Sequence, residues 1–564
     1  MRAKEPNLNK TKLSATTGIT LIFYAYVFIL LIHNSFSYLD PDLGWHLKVG
    51  ESITQSGQVP HINTSSYPLF GANWVDHEWL ANAVMYFIYT HAGYGLLTLI
   101  FALIILLALF LQNIFLTRLI LPPKNGTLLI IFFQMFGIVA SAGHWGIRIQ
   151  EVSFLFLLIL LIILHLFRRK GAWQILLWIP PLFFLWSTLH ASFIMGLFVL
   201  AFWIAVHLCT GIIRRTTKGQ LKTWKIMPMQ GLRRYIYFPP ASNKSLAQAS
   251  AIFLASLAAT LVTPYGLNLY SFLLGYKNTY YMRHIQEWHS IFDSPVQYLQ
   301  MAYISFLPAM IMFSVLYHTL KQKSAKYITF DFWYLLLALV FFFAAVQSKR
   351  NFPLFFAVSL PLFVPFFASL LDLPDSLLNN DRSRLFKSIK WAGLVIVSAM
   401  IALRLAQTRF TNEPFRHYCN EYPCGAVTFL KNNPQLIGMR MLNAYTWGGY
   451  LIWTMPEQQL FIDGRFPQME FKEHTILEEY GLFFEESTVK QKIAEHDIQI
   501  FLLYSQNKKK RLGWLERHLF HRNNLDKNNK EYISSPPTLN DHLNSRTDFH
   551  KIYEDATAVI YAKK

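Results

Sequence analysis

Asp40 and Asp42 stand two residues apart in SYLDPDLGWHLKVG, and a second acidic cluster, Asp76-His77-Glu78, follows in NWVDHEWL. Two carboxylates at that spacing can share a hard cation, or one can take up a proton while the other orients it. The competing reading is that Asp42 merely caps a helix over 43–54. Residues 37–79 carry Asp40, Asp42, Glu51, Asp76 and Glu78 with Lys48 as the sole base, the densest polar chemistry before residue 408.

Cationic and polar groups recur at the ends of distant apolar runs. Arg148 and Gln150 lie in GHWGIRIQE, Trp186 and His190 in LWSTLHASF, and Tyr265 in TPYG. Arg283 and Glu287 lie in RHIQEW, and Lys349 and Arg350 in SKRNFP. Ionisable groups beside a bilayer are costly and usually face a cavity or pair with one another. For any single one, snorkelling or a local salt bridge is the simpler account. Acids from one loop and cations from four others are better explained by a shared cleft, lined also by Trp45, His46 and His77. A cationic rim beside paired carboxylates suits an anionic, lipid-borne group such as a phosphate or pyrophosphate.

The elements that must position these groups are membrane helices. The chain has 564 residues, 53% hydrophobic and 15% charged, with 48 Phe, 28 Tyr and 15 Trp. That composition excludes a soluble protein, a disordered chain and a disulfide-stapled scaffold. Eleven apolar stretches approach the ~20 residues a spanning helix needs: 17–36, 94–117, 126–143, 151–167, 172–190, 192–213, 248–264, 299–319, 330–347, 352–370 and 388–407. The first lacks a small-residue cleavage site and reads as a span rather than a signal peptide. Segment 79–91 is shorter and amphipathic, an interfacial helix. Helix 43–54 is expected to turn Leu43, Leu47 and Val49 toward lipid. Most of the +19 charge lies before residue 408 in short clusters between spans. Such clusters set topology and meet lipid headgroups, and they argue against nucleic-acid binding. They place the N-terminus in the cytoplasm and 408–564 outside.

The expected architecture is thus an α-helical polytopic membrane domain, 1–407, with an acidic first outer loop, 37–93, followed by an extracytoplasmic α/β domain, 408–564. The latter is nearly neutral, with 20 basic and 19 acidic residues. Strands are expected at 441–445, 450–454, 459–462 and 497–504, with a hairpin over 550–562. Helices are expected near 425–432, 469–480 and 486–496. Cys419 and Cys424 would face an oxidising compartment, where either a disulfide or two free thiols fit. The run Lys508–Lys509–Lys510–Arg511 reads as a solvated loop or, less simply, a phospholipid contact.

An acid pair closing the first span, an interfacial helix, a Gly57-x-x-Pro60 turn and a second acidic cluster resemble the first outer loop of GT-C glycosyltransferases. That superfamily includes protein O-mannosyltransferases and the aminoarabinose transferases of lipid A. DPDLGWHLKVG, NWVDHEWL, RIQ, LWSTLHASF, TPYG, RNFP, WGGYLIW and FIDGR resemble, over most of the chain, a group of bacterial multispanning GT-C-like proteins. The resemblance implies inverting transfer of a sugar from a polyprenyl-phosphate donor to a hydroxyl of a lipid, glycan or protein, on the outer face of the bacterial inner membrane. Asp40 would be the base, Asp42 its partner or a metal ligand, and Glu78 would position the acceptor or an ion. Arg148, His190 and Arg350 would neutralise the departing phosphate, with Arg283 and Lys349 on the same rim. No redox cofactor is implied. A divalent cation on Asp40 and Asp42 is optional, since Arg and His can supply positive charge. The second cluster reads DHEW rather than the K-P-P-L type of the aminoarabinose enzymes, so their lipid and acceptor contacts do not carry over. Two rival readings use the same cleft: a transporter or flippase of an amphiphilic anion, and a membrane scaffold whose outer domain recruits a partner. Half-helices and internal repeats would favour the transporter, and no obvious repeat is present.

Overall fold

The computed structural model describes residues 15–120, 126–217, 236–237, 242–275, 279–293, 295–320, 330–371, 382–505, 510–511, 531–532 and 539–564. Many expected topology signals (Arg2, Lys4, Lys10, Lys12, Lys124, most of 214–244, Lys321, Lys323, Lys326), along with Lys277, Lys508 and Lys509, lie outside the described residues.

The chain is mainly helical. Among the described residues six helices are long and apolar enough to cross a membrane: Thr17–Ser35, Trp79–Ile120, Gln150–Lys170, Phe193–Ile212, Tyr298–Leu316 and Lys349–Leu370. Gly126–Ala140, Trp173–Leu189, Phe332–Gln347 and Val395–Gln407 are shorter apolar helices. Asn243–Thr260 covers most of the expected 248–264 stretch. The expected break between an amphipathic helix and the second span falls at Gly93, whose φ of 76° interrupts the helix Trp79–Ile114. A side chain there would be strained in that left-handed conformation.

Two hydrophobic cores organise the chain. The first is built from the helices, with Phe133, Phe154, Trp186, Tyr303 and Phe356 deep inside. The second joins the loop after the first helix to residues 415–561. The helix Leu43–Ser56 belongs to this second core, with Leu43 and Leu47 fully buried and Val49 nearly so. These side chains pack on protein, correcting the expected lipid face. The helix ends at Gly57, whose φ of 68° lets its N–H reach the Ile53 carbonyl at 2.9 Å.

The C-terminal segment carries a four-stranded sheet in the order Met441–Asn443, Ile500–Tyr504, Ala558–Lys563, Phe549–Glu554. The first pair is parallel and the others antiparallel. Three expected elements differ. Gly448–Thr454, in WGGYLIW, is a helix rather than a strand, because its two glycines let it press against Pro41 and Asp463. Residues 459–462 form only an isolated bridge, Leu460 to Ser66. Helix 469–480 shortens to Ile476–Gly481, since Glu470–Phe471 and His474–Thr475 form a small hairpin ahead of its Thr475 cap. Cys419 and Cys424 are joined in a disulfide.

Candidate functional site

The turn Asp40-Pro41-Asp42 leaves the first helix and starts the second, and the side chains of the two acids take different roles. Asp40 Oδ1 accepts the Asp42 N–H at 2.9 Å, and its Oδ2 accepts Arg148 Nε at 2.5 Å. Asp42 makes no side-chain cap on the helix it precedes. Its Oδ1 instead accepts the Trp45 indole N–H at 2.9 Å. The simple capping account of Asp42 therefore does not describe this turn. Burial, and then the neighbouring Asp40, push the Asp42 carboxyl above the usual carboxylate range.

Arg148 links that turn to a second acid. Its Nη2 donates to Glu287 Oε1 at 2.5 Å, and Glu287 Oε2 accepts Arg350 Nη1 at 3.3 Å. Arg350 lies over the Trp288 ring, 5.3 Å from its centre. Burial works to raise the Glu287 carboxyl, but Arg148 and Arg350 outweigh it and hold it down at about 2. The result is a chain of alternating charge, Asp40–Arg148–Glu287–Arg350, drawn from four separated segments. One guanidinium nitrogen of Arg148, Nη1, is buried and has no partner among the described residues.

Beside this chain lies a carboxyl among imidazoles. Glu78 Oε1 is 3.6 Å from His77 Nε2 and 3.6 Å from His190 Nε2, and Oε2 is 3.9 Å from His46 Nδ1. All three separations exceed normal hydrogen-bond length. Two of the rings are held by other partners, His46 through the same Nδ1 that faces Glu78 and His190 through the opposite nitrogen. His46 Nδ1 meets Asn82 Oδ1 at 2.6 Å, and Asn82 donates to both oxygens of Asp76 at 3.0 and 2.9 Å. His190 Nδ1 meets Ser153 Oγ at 2.8 Å, and Ser153 accepts from Trp186 Nε1 at 2.8 Å. Burial pushes Glu78 well above its ordinary value, with Asp76 and Asp42 adding to the rise. Burial also pushes His46 and His77 down to about 4, and His190 well below its usual range. Asp76 is pushed up to about 6, again by burial, against the hydrogen bonds from Asn82.

These distances bear on where a metal would fit. Asp40 and Asp42, expected to share a cation, present no common vertex, because Arg148 occupies the cation's place at Asp40. Glu78 lies 3.6 Å from one nitrogen each of His77 and His190, but these three do not converge closely enough to form a ligand group. Among the described residues the group that does is Glu479, Glu495 and His496, where the Lys492 ammonium already supplies the positive charge.

Of the remaining expected residues, Trp45 braces Asp42 and stacks on His46, ring centres 3.7 Å apart. Trp186 acts through Ser153, and Gln150 reaches the His144 carbonyl at 3.5 Å. Tyr265 donates to the Pro60 carbonyl at 2.6 Å, fixing the Gly57-to-Pro60 turn. Two expected phosphate contacts are not brought in. Arg283 is exposed, and Lys349 is buried with its ammonium on the Asp293 carbonyl at 2.9 Å. Sequence reasoning missed Asn82, Ser153 and His144. Asn82 carried a signal, lying four residues after Glu78 and so on the same helical face. Ser153 and His144 carried none beyond their nearness to Arg148.

The C-terminal segment forms a wall of this site. Tyr422 donates to the Leu39 carbonyl at 2.8 Å, and Ser66 Oγ to the Phe461 carbonyl at 3.1 Å. Arg465 binds Asp463 through Nε and Nη2, both at 2.8 Å, reaches Asn63 Oδ1 at 3.2 Å, and lies over the Trp74 ring at 4.9 Å.

No family model matches the sequence, and no curated protein matches it. Solved structures that are similar include two of the oligosaccharyltransferase of the archaeon Archaeoglobus fulgidus. One, tethered to an acceptor peptide, is 12% identical with a TM-score of 0.47. The other, AglB in complex with an inhibitory peptide and a dolichol-phosphate, is 11% identical with a TM-score of 0.49. Each likeness covers 86% of this chain and 69% of the other.

Proposed function

We propose that this protein is a membrane glycosyltransferase that moves a sugar from a polyprenyl-phosphate donor to an acceptor hydroxyl at the extracytoplasmic face, with inversion. The observation that supports the reading is the convergence of the Asp40–Asp42 turn with Arg148, Glu287 and Arg350, five groups from four segments meeting beside a helix bundle. Buried charges on this scale are costly to assemble and mark functional sites.

Each group has a chemical task. The acceptor oxygen attacks the anomeric carbon as the bond from that carbon to the phosphate oxygen breaks. The phosphate leaves as an anion toward the unpartnered Nη1 of Arg148 and toward Arg350. The acceptor proton passes to a carboxylate. Asp40 was the first expectation for that carboxylate, but both its oxygens are engaged. Burial raises the proton affinity of Asp42, and its Oδ2 lies outside the bond to Trp45, so the base role falls to Asp42 and Asp40 anchors Arg148. A positioned base contributes ~10²–10⁴-fold, and charge stabilisation on the leaving group is often the larger share.

Purified protein in liposomes, given polyprenyl-phosphohexoses and extracts of candidate acceptors, tests this directly. Release of polyprenyl phosphate with glycosylated product is expected, and Asp42→Asn should reduce it by ~10²–10⁴-fold with insertion unchanged. Undiminished transfer in Asp42→Asn removes it as the base. Unchanged glycolipid and glycoprotein profiles in cells lacking the protein argue against the activity itself.

A further inference from the structure

WGGYLIW and FIDGR, which lie more than 400 residues after the acid pair, have no assigned task in the reaction above. Both meet the acid turn. A methyl group built on Gly464 would collide with Asp42 Oδ1, come 3.3 Å from Asp42 Cγ and lie 3.7 Å from Trp45 Nε1. The backbone of Gly464 therefore rests on the hydrogen bond that orients Asp42. Gly449 packs in the same way on the Pro41 carbonyl.

The turn that bears Gly464 is held from several directions. Asp463 is fully buried and Arg465 nearly so, and they form a bidentate pair that Asn63 and Trp74 close off. Asn443 accepts the Phe461 N–H at 3.0 Å and donates to the Ile462 carbonyl at 2.9 Å. The wall is rigid, and the Asp42 carboxyl is the movable partner in the contact.

We infer that Gly464 is a positioning residue: the turn Asp463–Arg465 sets where the Asp42 carboxyl sits, so the C-terminal segment completes the reaction centre. The inference rests on the proposed transfer reaction only for its catalytic consequence. The contact itself stands on geometry. It also separates three glycines that look alike in sequence. At Gly44 and Gly449 an added methyl meets backbone carbonyls, of Gly449 and Pro41, so those changes break docking. At Gly464 it meets the far end of a side chain rather than backbone, so Gly464→Ala is expected to spare the fold and displace Asp42.

The full-length protein labelled with 5-fluorotryptophan gives a readout independent of activity, with the Trp45 signal assigned through Trp45→Phe. Gly464→Ala is expected to move the Trp45 resonance while those of Trp186 and Trp333 stay in place. With a polyprenyl-phosphohexose probe, kcat should fall at least ~10-fold with the donor KM within two-fold, and Gly464→Ala should have no further effect in an Asp42→Asn background, as expected when one residue acts through another. Asn63→Ala loosens Arg465 without adding an atom and should move the same resonance, which keeps the test open if Gly464→Ala does not fold. An unmoved Trp45 resonance in the folded variants overturns the inference, as do losses from Gly464→Ala and Asp42→Asn that multiply. If the wild-type protein turns over no probe, the transferase reading fails and the Trp45 signal still decides the positioning role.

Discussion

Glu78 and Glu479 are both buried glutamates among histidines, and they are held in opposite ways. Glu479 accepts Lys492 Nζ on both oxygens at 2.9 and 3.0 Å, His496 Nε2 at 2.5 Å and His474 Nε2 at 2.6 Å. Burial works to raise it, but hydrogen bonds from His496, Lys492 and His474 prevail and keep it below the ordinary range. Glu78 has three imidazoles nearby, none at hydrogen-bonding distance, and burial carries it well above that range. A saturated carboxylate pins the hairpin Glu470–Thr475 to the helix Val489–Glu495. An unsaturated one keeps capacity for a proton, a cation or a substrate. The difference separates a saturated network from an unsaturated one more sharply than residue type does, since both read as Glu with His.

The largest effect expected from breaking this contrast is on stability at Glu479. Lys492→Met strands a buried carboxylate and should lower the unfolding free energy by ~3–5 kcal/mol, with turnover per folded molecule within two-fold; denaturation and activity measured on one preparation check both. Glu78→Gln should do the reverse. Transfer should fall ~100-fold, or about 2.7 kcal/mol of barrier, while the melting temperature holds or rises. A large drop in melting temperature would place Glu78 in the structural class.

A pH titration of stability sharpens the comparison further, because the two shifts have opposite sign. The folded Glu78 holds its proton above the ordinary 4.5. As pH rises from there toward its elevated folded value, the unfolded chain releases the proton first and wild-type stability falls relative to Glu78→Gln. Glu479, held low, contributes stability that is present above 4.5 and is lost as pH falls through its folded value. Melting curves of the wild type and both Gln variants should therefore diverge at opposite ends of the pH range. The smallest effect belongs to Lys472, a half-exposed partner of Glu495. Lys472→Ala should cost less than ~1 kcal/mol, measurable by the same denaturation.

How much of this was legible in the sequence follows from what each signal encodes. The eleven expected apolar stretches are largely helical, six of them long and apolar enough to cross a membrane, because an apolar run satisfies its own backbone as helix without outside partners. Arg148, Glu287 and Arg350 were legible as charges lying where charges are costly. Their pairing was not, since it depends on the approach of segments 63 to 139 residues apart. Lys349 and Arg350 show the limit: adjacent cations in SKRNFP point to different partners, the Asp293 carbonyl and Glu287. The fate of Leu43 and Leu47 was hidden for a related reason. Lipid and a protein core select the same apolar face, and only the arrival of the 448–454 helix distinguishes them. WGGYLIW misled as a strand because its apolar run has either period, and its glycines serve contact rather than turn formation.

The hydrogen bond between Ser66 and Phe461 joins positions 395 residues apart, and it has a consequence for biosynthesis. The acidic turn is translated well before the WGGYLIW and FIDGR segments that pack on it. On the proposed reading, a chain truncated before FIDGR keeps its apolar helices but lacks the Gly464 backbone that rests on Asp42.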